Sequence, residues 1–536
     1  MSEVLTTSYC RGEDHPEILE LTIGDALRAA VAEAPDRAML ITGAPEPGDR
    51  RVRTYQEFYD EARKAALVLA SRFEPGERLA IWAPNVPEWV VAQFACAEAG
   101  LIVVTVNPSL QAKELQYILQ QSGASGLLVL PEFRGNPMLE VALTVQADCP
   151  QLREIIRFDQ WQEFLQSPVD PNQTLPEVKP GDAVMIQYTS GTTGFPKGAL
   201  LHHRGIVNNA AQTAMLNGNK DGGVTVSMSP LFHTSGCVLA VLGAVAFRGS
   251  LVLMQSFDAG LALELNETYR GQSLTGVPTM LIAILEHPSF GERDLSSIVR
   301  VGSGGSTVPA DLVRTLESRL DASFTIVFGQ TECSPVATMT RRTDSTEDKA
   351  NTVGRPIPNV EVKVIDVASG ETLPIGEVGE FCTRGYHVML GYYDMPEATA
   401  AAIDADGWLH FGDLCKMDAR GFCTVEGRLK DMIIRGGENI YPREIEELLF
   451  EHPKVAEIAV VGLPDPRYGE IVGAFIRDTD VSNPATDEEL HRYCREHLSA
   501  QKTPTVWARV DEFPLTGPGK IQKFALREQW VSGQRA

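Results

Sequence analysis

The sequence predicts an α/β protein with two domains, because short apolar segments alternate with helix-length segments and a second α/β set begins after residue 431. Short apolar runs bounded by polar residues are typical of strands buried in a sheet. Such runs occur at residues 78–82, 126–130, 224–228, 251–254 and 298–301. Their alternation with helices indicates βαβ units, so the large N-terminal domain should contain mostly parallel sheets.

Two of the intervening helices are predicted at residues 87–99 and 112–121. Pro87 would lie in the first turn of its helix, where the missing N–H costs no hydrogen bond. From residue 353 to 383 the pattern changes to short alternating strands, with turn residues at 368–370 and 374–376. This stretch predicts a small antiparallel β subdomain within the N-terminal domain.

The best candidate for a domain boundary is the segment 427–431. Beyond it, the pattern predicts a helix at 443–450, strands at 456–461 and 471–476, and a helix at 487–498. Pro442 suits the first helical position. We therefore divide the chain into an N-terminal domain, residues 1–429, and a small α/β C-terminal domain, residues 430–536.

The composition excludes several classes of protein. The net charge of the 536 residues is −24, which argues against a nucleic-acid-binding surface. Nine cysteines without metal-ligand spacing indicate reduced thiols and a cytoplasmic location. The N-terminus has neither the basic start nor the apolar core of a secretory signal. The apolar run 236–247 is shorter than the ~18 residues of a membrane span, so we expect a buried helix and no transmembrane segment.

The most informative motif is YTSGTTGFPKG at residues 188–198. Its glycines allow consecutive N–H groups to converge on an anion, and its hydroxyls and lysine add donors and a positive charge. A polyphosphate is the expected ligand. The motif is not a Walker A loop, because Pro196 replaces the second glycine and Gly198 replaces the Ser or Thr. The candidate phosphate-binding residues are Thr189, Ser190, Gly191, Thr192, Thr193, Gly194 and Lys197.

Further motifs follow in order along the chain: FGQTE at 328–332, GD at 412–413, GRLKD at 427–431, IIRGGEN at 433–439 and PLTGPGK at 514–520. In this order and spacing the motifs resemble those of the adenylate-forming superfamily, which includes acyl-CoA synthetases, peptide-synthetase adenylation domains and luciferases. The resemblance covers nearly the whole chain.

The resemblance implies that a carboxylate attacks the α-phosphate of ATP and that the acyl-adenylate then passes its acyl group to a thiol. Glu332 would be the ligand of Mg²⁺, which prefers a carboxylate together with substrate phosphates. Thr331 would donate to the α-phosphate. The other residues implied to bind ATP or AMP are Gly304, Phe328 and Gly329 near the adenine, and Asp413 and Arg428 at the ribose.

The resemblance also assigns residues to each half-reaction. Lys520 would bridge the carboxylate and the α-phosphate while the adenylate forms. The C-terminal domain would then rotate about a hinge at Lys430, withdraw Lys520 and bring the coenzyme A-binding residues Gly436, Gly437 and Glu438 to the site. The loop around Lys520 also resembles the site at which acyltransferases silence related synthetases. We therefore hypothesise that a lysine acetyltransferase modifies Lys520.

His233 indicates the class of acid. In the motif PLFHTSG at 230–236 it stands where amino-acid-activating relatives carry an Asp that pairs with the substrate ammonium. We therefore expect an acid without an α-amino group, with His233 packing against the acyl group or gating the carboxylate. The apolar run from Cys237 should line the acyl pocket.

The amino-acid sequences of segments 384–393, 430–446 and 514–528 are similar to those of medium-chain fatty acid–CoA ligases and close to those of aryl acid–CoA ligases. The chain contains no serine motif for phosphopantetheine, so free coenzyme A is the expected thiol. The prediction is an ATP-dependent, AMP-forming carboxylic acid–CoA ligase, with a medium-chain fatty acid as substrate. The alternatives are an aryl acid–CoA ligase and a stand-alone ligase that loads a carrier protein.

Overall fold

The computed structural model describes residues 4–189, 196–306, 308–435, 438–515 and 521–533, and these confirm the α/β class. In chain order the strands are β1 Tyr9–Arg11, β2 Ala38–Thr42, β3 Val52–Thr54, β4 Arg78–Trp82, β5 Ile102–Val106, β6 Gly126–Val129, β7 Glu154–Arg157, β8 Ala183–Thr189, β9 Lys197–His202, β10 Val224–Ser227, β11 Ser250–Leu253, β12 Ser273–Thr275, β13 Arg300–Gly304, β14 Ser323–Phe328, β15 Thr338–Met339, β16 Arg355–Pro356, β17 Val360–Ile365, β18 Gly379–Gly385, β19 Gly391–Tyr392, β20 Leu409–Met417, β21 Cys423–Arg428, β22 Ile433–Arg435, β23 Glu438–Ile440, β24 Val455–Asp465, β25 Gly469–Asp478 and β26 Val506–Arg509.

The helices begin at residues that favour helix starts. Pro87 and Pro442 lie in first turns, as predicted. Thr22 and Thr54 form capping boxes. In chain order the helices are α1 Ile23–Glu33, α2 Tyr55–Ala70, α3 Pro87–Glu98, α4 Ala112–Ser122, α5 Met138–Gln146, α6 Trp161–Leu165, α7 His203–Leu216, α8 Val241–Ala246, α9 Ala259–Thr268, α10 Pro278–Glu286, α11 Ala310–Leu320, α12 Thr346–Asn351, α13 Pro396–Ala402, α14 Pro442–Phe450, α15 Asp487–His497 and α16 Lys523–Val531.

Two large sheets have parallel centres and antiparallel edges. One has the order β16-β15-β14-β13-β12-β10-β11-β2-β3, and the other has the order β19-β9-β8-β5-β4-β6-β7. In the first sheet the strands from β14 to β2 run parallel, and in the second those from β8 to β7 do so. This arrangement confirms the predicted parallel sheets and adds antiparallel edges that the apolar pattern did not reveal.

Helices cover both faces of each parallel sheet. Alternate side chains of a strand point to opposite faces, and Leu40 and Ile41 of β2 accordingly belong to two different buried clusters. The cluster that contains Leu40 also contains Leu79 of β4 and most of α3, so it lies between the two large sheets. Burial on both faces explains why the central strands are continuously apolar.

A third sheet is antiparallel and has the order β1-β17-β18-β20-β21. The segment 353–383, predicted as a small antiparallel β subdomain, contributes β17 and most of β18, and strands outside that segment complete the sheet. A fourth sheet has the order β23-β22-β25-β24, and β26 pairs with β25. It packs against α14, α15 and α16 in the C-terminal part of the chain, where α/β structure was expected. None of the helices in the described part of the chain combines the length and the apolar character that crossing a bilayer requires.

The apolar run 236–247 is buried as predicted, but only part of it is an α-helix. The turns over Ser235–Ala240 are π-helical, and the α-helix α8 begins at Val241. A π-helical turn leaves backbone carbonyls out of the usual i to i+4 pattern and is frequent at functional sites.

Candidate active site

Strands from both large sheets end at the predicted phosphate-binding segment and its partner motifs. In parallel α/β sheets, ligands bind at the carboxyl ends of the strands. Thr189 ends β8 and pairs with Lys197, the first residue of β9; its Oγ1 donates to the Lys197 carbonyl at 3.4 Å. The predicted motif therefore begins at the end of β8 and continues into β9, which pairs antiparallel with β8. Ser190, Gly191, Thr192, Thr193 and Gly194 lie outside the described residues.

Glu332 and Lys197 are connected by a tyrosine that the sequence analysis did not select. The Tyr392 hydroxyl donates to Oε1 of Glu332 at 2.7 Å, and Lys197 Nζ lies 5.1 Å from the centre of the same ring. Glu332 is only 6% exposed and lies in a single 3-10 turn that begins at Thr331. Burial and the adjacent Glu332 charge raise the pKa of Tyr392, so its hydroxyl keeps its proton and donates.

Two predicted nucleotide-binding glycines stand where the fold excludes a side chain. A Cβ on Gly304 would lie 2.5 Å from the carbonyl oxygen of Val327, its partner in β14. A Cβ on Gly329 would lie 2.1 Å from the carbonyl oxygen of Pro335. Both glycines are therefore required by packing, whether or not a nucleotide is bound.

Phe328, predicted to lie against adenine, ends β14 and belongs to an aromatic cluster. Its ring centre lies 5.2 Å from that of Phe381 and 5.6 Å from that of Phe411. Phe381 and Phe411 lie 4.8 Å apart and come from the neighbouring strands β18 and β20. Phe328 remains partly exposed next to the antiparallel sheet.

The two predicted ribose-binding residues are brought together across adjacent strands. Asp413 of β20 pairs with Arg428 of β21, and Arg428 Nε lies 3.1 Å from Asp413 Oδ1. Asp413 is mostly buried, whereas the Arg428 side chain is about half exposed. The residue before Asp413 is Gly412, with a φ of +66°, a left-handed conformation that a residue with a side chain rarely adopts.

Lys430, the predicted hinge, lies in the 3-10 turn Leu429–Asp431 between the third and fourth sheets. Beyond it, Arg435 donates to the carbonyl of Gln501 at 2.6 Å and lies over the ring of Tyr468, so it is held by the C-terminal part of the chain. The predicted coenzyme A residues Gly436 and Gly437, the side chain of Glu438, and Lys520 lie outside the described residues.

His233 lies just before the π-helical turns Ser235–Ala240 and is exposed. Its Nδ1 accepts the backbone N–H of Ser235 at 3.2 Å. Within the π-helical turns, the carbonyl of Cys237 accepts Nε2 of Gln93 at 3.0 Å. A buried side chain therefore satisfies a carbonyl of the irregular turn beside the segment expected to line the acyl pocket.

A buried carboxylate beside Asp413 was also missed. Glu380 accepts a hydrogen bond from His410 at 2.9 Å and lies next to Gly412. Hydrogen bonds with Cys382 and Glu380 raise the pKa of His410 to about 10, so its ring is protonated at neutral pH. Tyr392 lies within the family-like segment 384–393, whereas Glu380 and His410 lie outside the motifs and carry no distinctive spacing in the sequence.

The described residues therefore place Glu332 and Phe328 near the end of β14, Lys197 at the start of β9, and the paired Asp413 and Arg428 on the antiparallel third sheet. A buried carboxylate and nearby cationic side chains have the chemistry to bind a magnesium ion and phosphate groups. The chain belongs to the AMP-binding enzyme family, whose pattern it matches over residues 27–393; residues 444–520 match the AMP-binding enzyme C-terminal domain.

Relatives and solved structures agree with this assignment. The chain is 38% identical over 544 residues to "Putative acyl-CoA synthetase YngI" of Bacillus subtilis, covering 96% of this chain and 98% of the relative. It is 36% identical to the human medium-chain acyl-CoA ligase ACSF2, mitochondrial, covering 97% and 89%. The ATP-bound structure of MatB from Rhodopseudomonas palustris superposes with a TM-score of 0.85 at 26% identity, covering 96% and 100%.

A structure of the anthranilate CoA ligase AuaEII with anthranoyl-AMP superposes with a TM-score of 0.84 at 26% identity, covering 96% and 98%. The predicted reaction class is confirmed. The protein is an AMP-forming acid–CoA ligase, and its substrates are a small carboxylic acid, ATP and coenzyme A.

Proposed function

We propose that the acid is a medium-chain fatty acid. Two observations support this choice: His233 occupies the position at which an Asp would bind a substrate ammonium, and the segment from Cys237 to Phe247 is apolar and largely buried. The names of the ACSF2 relatives point to the same class of acid. The anthranilate ligase among the structural neighbours makes an aryl acid the alternative.

Glu332 has the chemistry of a magnesium ligand. It is a carboxylate in a mostly buried turn, and Tyr392 holds one of its oxygens at 2.7 Å, so the orientation of the carboxylate is defined before ATP binds. Mg²⁺ prefers carboxylates together with substrate phosphates, so the donor set fits this ion. When bound, the ion would neutralise charge on the triphosphate.

In the first half-reaction, a carboxylate oxygen of the acid attacks the α-phosphorus of ATP. The bond to the β-phosphate oxygen breaks, and pyrophosphate leaves with the electron pair. Lys197 and residues 190–195 bind the phosphates, Thr331 donates to the α-phosphate, and Lys520 bridges the two anions. Asp413 and Arg428 hold the ribose, and Phe328 with Gly304 and Gly329 borders the adenine. Fixed positive groups lower the barrier because they oppose charge repulsion between the reactants.

In the second half-reaction, the thiolate of coenzyme A attacks the acyl carbon and AMP leaves. We propose that residues 430–536 turn about Lys430 for this step. Rotation would withdraw Lys520 and bring Gly436, Gly437 and Glu438 to the acyl-adenylate. The position of Lys430 in a 3-10 turn supports this assignment. The turn is a short connection between two sheets, so a change in its φ and ψ angles would disrupt few packing contacts.

The proposal is tested by measuring pyrophosphate release over a series of aliphatic, aryl and dicarboxylic acids, with coenzyme A present and absent. A preference for acids of medium chain length supports it, whereas a preference for aryl acids favours the alternative. Thioester formation with a carrier protein but not with coenzyme A would favour the carrier-loading ligase.

The role of Glu332 is tested with Glu332→Gln, which keeps the shape and removes the charge. The loss of one preorganised electrostatic group should slow adenylation by roughly 10²–10³-fold. Glu361→Gln is the matched control, because Glu361 pairs with Arg384 in the antiparallel sheet and is not among the residues assigned to the nucleotide or the acid. Turnover near that of the parent enzyme at limiting Mg²⁺ would reject the assignment.

We propose a cytosolic location, because all nine cysteines are free. The alternative is a mitochondrial location, which the names of the ACSF2 relatives give for those proteins. Fractionation of cells that express the tagged protein tests this location.

Acetylation of Lys520 stays a prediction, and mass spectrometry of the protein from its native cells would detect the modified lysine.

A further inference from the structure

The strand that carries Asp413 is distorted immediately before it. The β18–β20 pairing shifts register between Glu380 and Cys382, so that Phe381 alone faces residues 411–413 of β20. Bulges of this kind turn side chains away from their regular directions and are frequent beside active sites. The conformation of this bulge therefore decides where the Asp413 carboxylate points.

A single carboxylate spans the bulge. Oε2 of Glu380 accepts the protonated Nδ1 of His410 at 2.9 Å, and Oε1 accepts the backbone N–H of Gly412 at 3.1 Å. Asp404 Oδ2 lies 3.6 Å from the other ring nitrogen of His410. Glu380 is only 9% exposed, so water cannot easily replace these bonds.

The cluster of Glu380, Cys382 and His410 also has the residue types of a metal site. One potential ligand atom from each of Glu380, Cys382 and His410 lies within 4.8 Å of the others, as at a metal site. Both Glu380 oxygens are, however, already engaged by hydrogen-bond donors. This satisfied arrangement favours a role in holding the backbone of the bulge over a role in holding an ion.

The residues on either side of Gly412 both contact residues that the proposed function assigns to the nucleotide. The Phe411 ring contacts Phe328, and Asp413 pairs with Arg428. Gly412 itself needs a left-handed conformation, which the bond from its N–H to Glu380 stabilises. One carboxylate thus holds the backbone between Phe411, which packs against Phe328, and Asp413, the proposed ribose ligand.

We propose that Glu380, supported by His410, is a positioning residue that sets the orientation of Asp413 toward the ribose hydroxyls of ATP. The proposal rests on the ribose-binding role of Asp413 in the proposed function. Glu380 would act only through Asp413 and the bulge, so it should contribute to the binding of a nucleotide that carries those hydroxyls and little to the binding of one that lacks them.

The test is a comparison of ATP with 2′,3′-dideoxy-ATP by titration calorimetry on the full chain. Glu380→Ala should weaken ATP binding about tenfold, the size expected when a bond to a charged group is lost. Its effect on dideoxy-ATP should be less than about twofold. Glu380→Gln should restore part of the difference, because its amide oxygen can still accept the Gly412 N–H. The control Glu361→Ala should bind both nucleotides as the parent protein does.

The outcomes distinguish the ribose-binding role of Asp413 from the positioning role of Glu380. If the parent protein binds both nucleotides equally, the ribose role of Asp413 and the positioning role of Glu380 both fail. If the parent discriminates and Glu380→Ala discriminates just as strongly, only the positioning role is overturned. Circular dichroism and melting curves check that each variant folds. If Glu380→Ala does not fold, the binding of the two nucleotides is measured for Glu380→Gln and His410→Gln instead. The proposal is overturned if both of these variants discriminate between ATP and 2′,3′-dideoxy-ATP as strongly as the parent protein does.

Discussion

The hydroxyl of Tyr392 should be needed for adenylation although it belongs to none of the motifs that point to the phosphates. It donates to the buried Glu332 carboxylate at 2.7 Å, a length typical of charge-assisted hydrogen bonds. The informative change is Tyr392→Phe. It removes this one donor and keeps the ring on which Lys197 lies at 5.1 Å.

The expected magnitude follows from this geometry. A hydrogen bond to a charged group stabilises by about 1.5–3 kcal/mol, and burial of Glu332 limits its replacement by water. With about 2 kcal/mol lost from the orientation of the carboxylate, kcat/KM for MgATP should fall about thirtyfold. Added Mg²⁺ should restore part of the rate, because a misoriented ligand weakens metal binding without removing the charge.

The assay is acid-dependent pyrophosphate release at several free Mg²⁺ concentrations, with melting temperatures recorded for each variant. Tyr393→Phe is the matched control, because the adjacent ring lies against Arg78 instead of Lys197. A loss of less than threefold in Tyr392→Phe, or an equal loss in Tyr393→Phe, would refute the reasoning.

Four further predictions concern the half-reactions, the acid and acid stability. Lys520→Ala and Lys520→Gln should slow adenylation by roughly 10²–10³-fold and leave thioester formation from supplied acyl-AMP nearly unchanged; a parallel loss in both halves would make Lys520 structural. Gly437→Leu should block the thiol path while acyl-AMP still accumulates in mass spectra, and equal damage to adenylation would contradict that path. Because of His233, octanoate should be preferred to 2-aminooctanoate in pyrophosphate release, and the opposite preference would overturn this reading. Burial lowers the pKa of His387 to about 3 and that of His203 to about 4, below the ordinary 6.5. As the pH falls, these histidines therefore bind protons in the unfolded chain at a higher pH than in the folded protein. The free energy of unfolding decreases as the pH falls below about 6.5, by about 2 kcal/mol for each residue at pH 5. Urea unfolding at neutral pH and at pH 5 should show a smaller loss in His387→Gln than in the parent protein; an equal loss would contradict the assignment.

The class of the fold and the order of its elements could be predicted because they depend on local patterns. The apolar runs of β4 and β10, and the helix starts at Pro87 and Pro442, match the structure to within a residue or two. The π-helical turns Ser235–Ala240 could not be predicted, because apolar periodicity does not distinguish a π-helix from an α-helix. The candidate site motifs stand out in the sequence because Gly, Thr, Lys and Glu occur together at short spacing, and the roles of their residues stay predictions.

The sequence alone thus determined the reaction class and the candidates for contact with ATP. Only the tertiary structure decided how those candidates are held. Tyr392 reaches Glu332 across 60 positions of the chain, and Glu380 reaches Gly412 across 32. Such contacts depend on which strands pair and in what register, and at the β18–β20 bulge Phe381 alone faces residues 411–413. That register depends on which face of each strand is buried against segments distant in sequence, and no single motif specifies those partners.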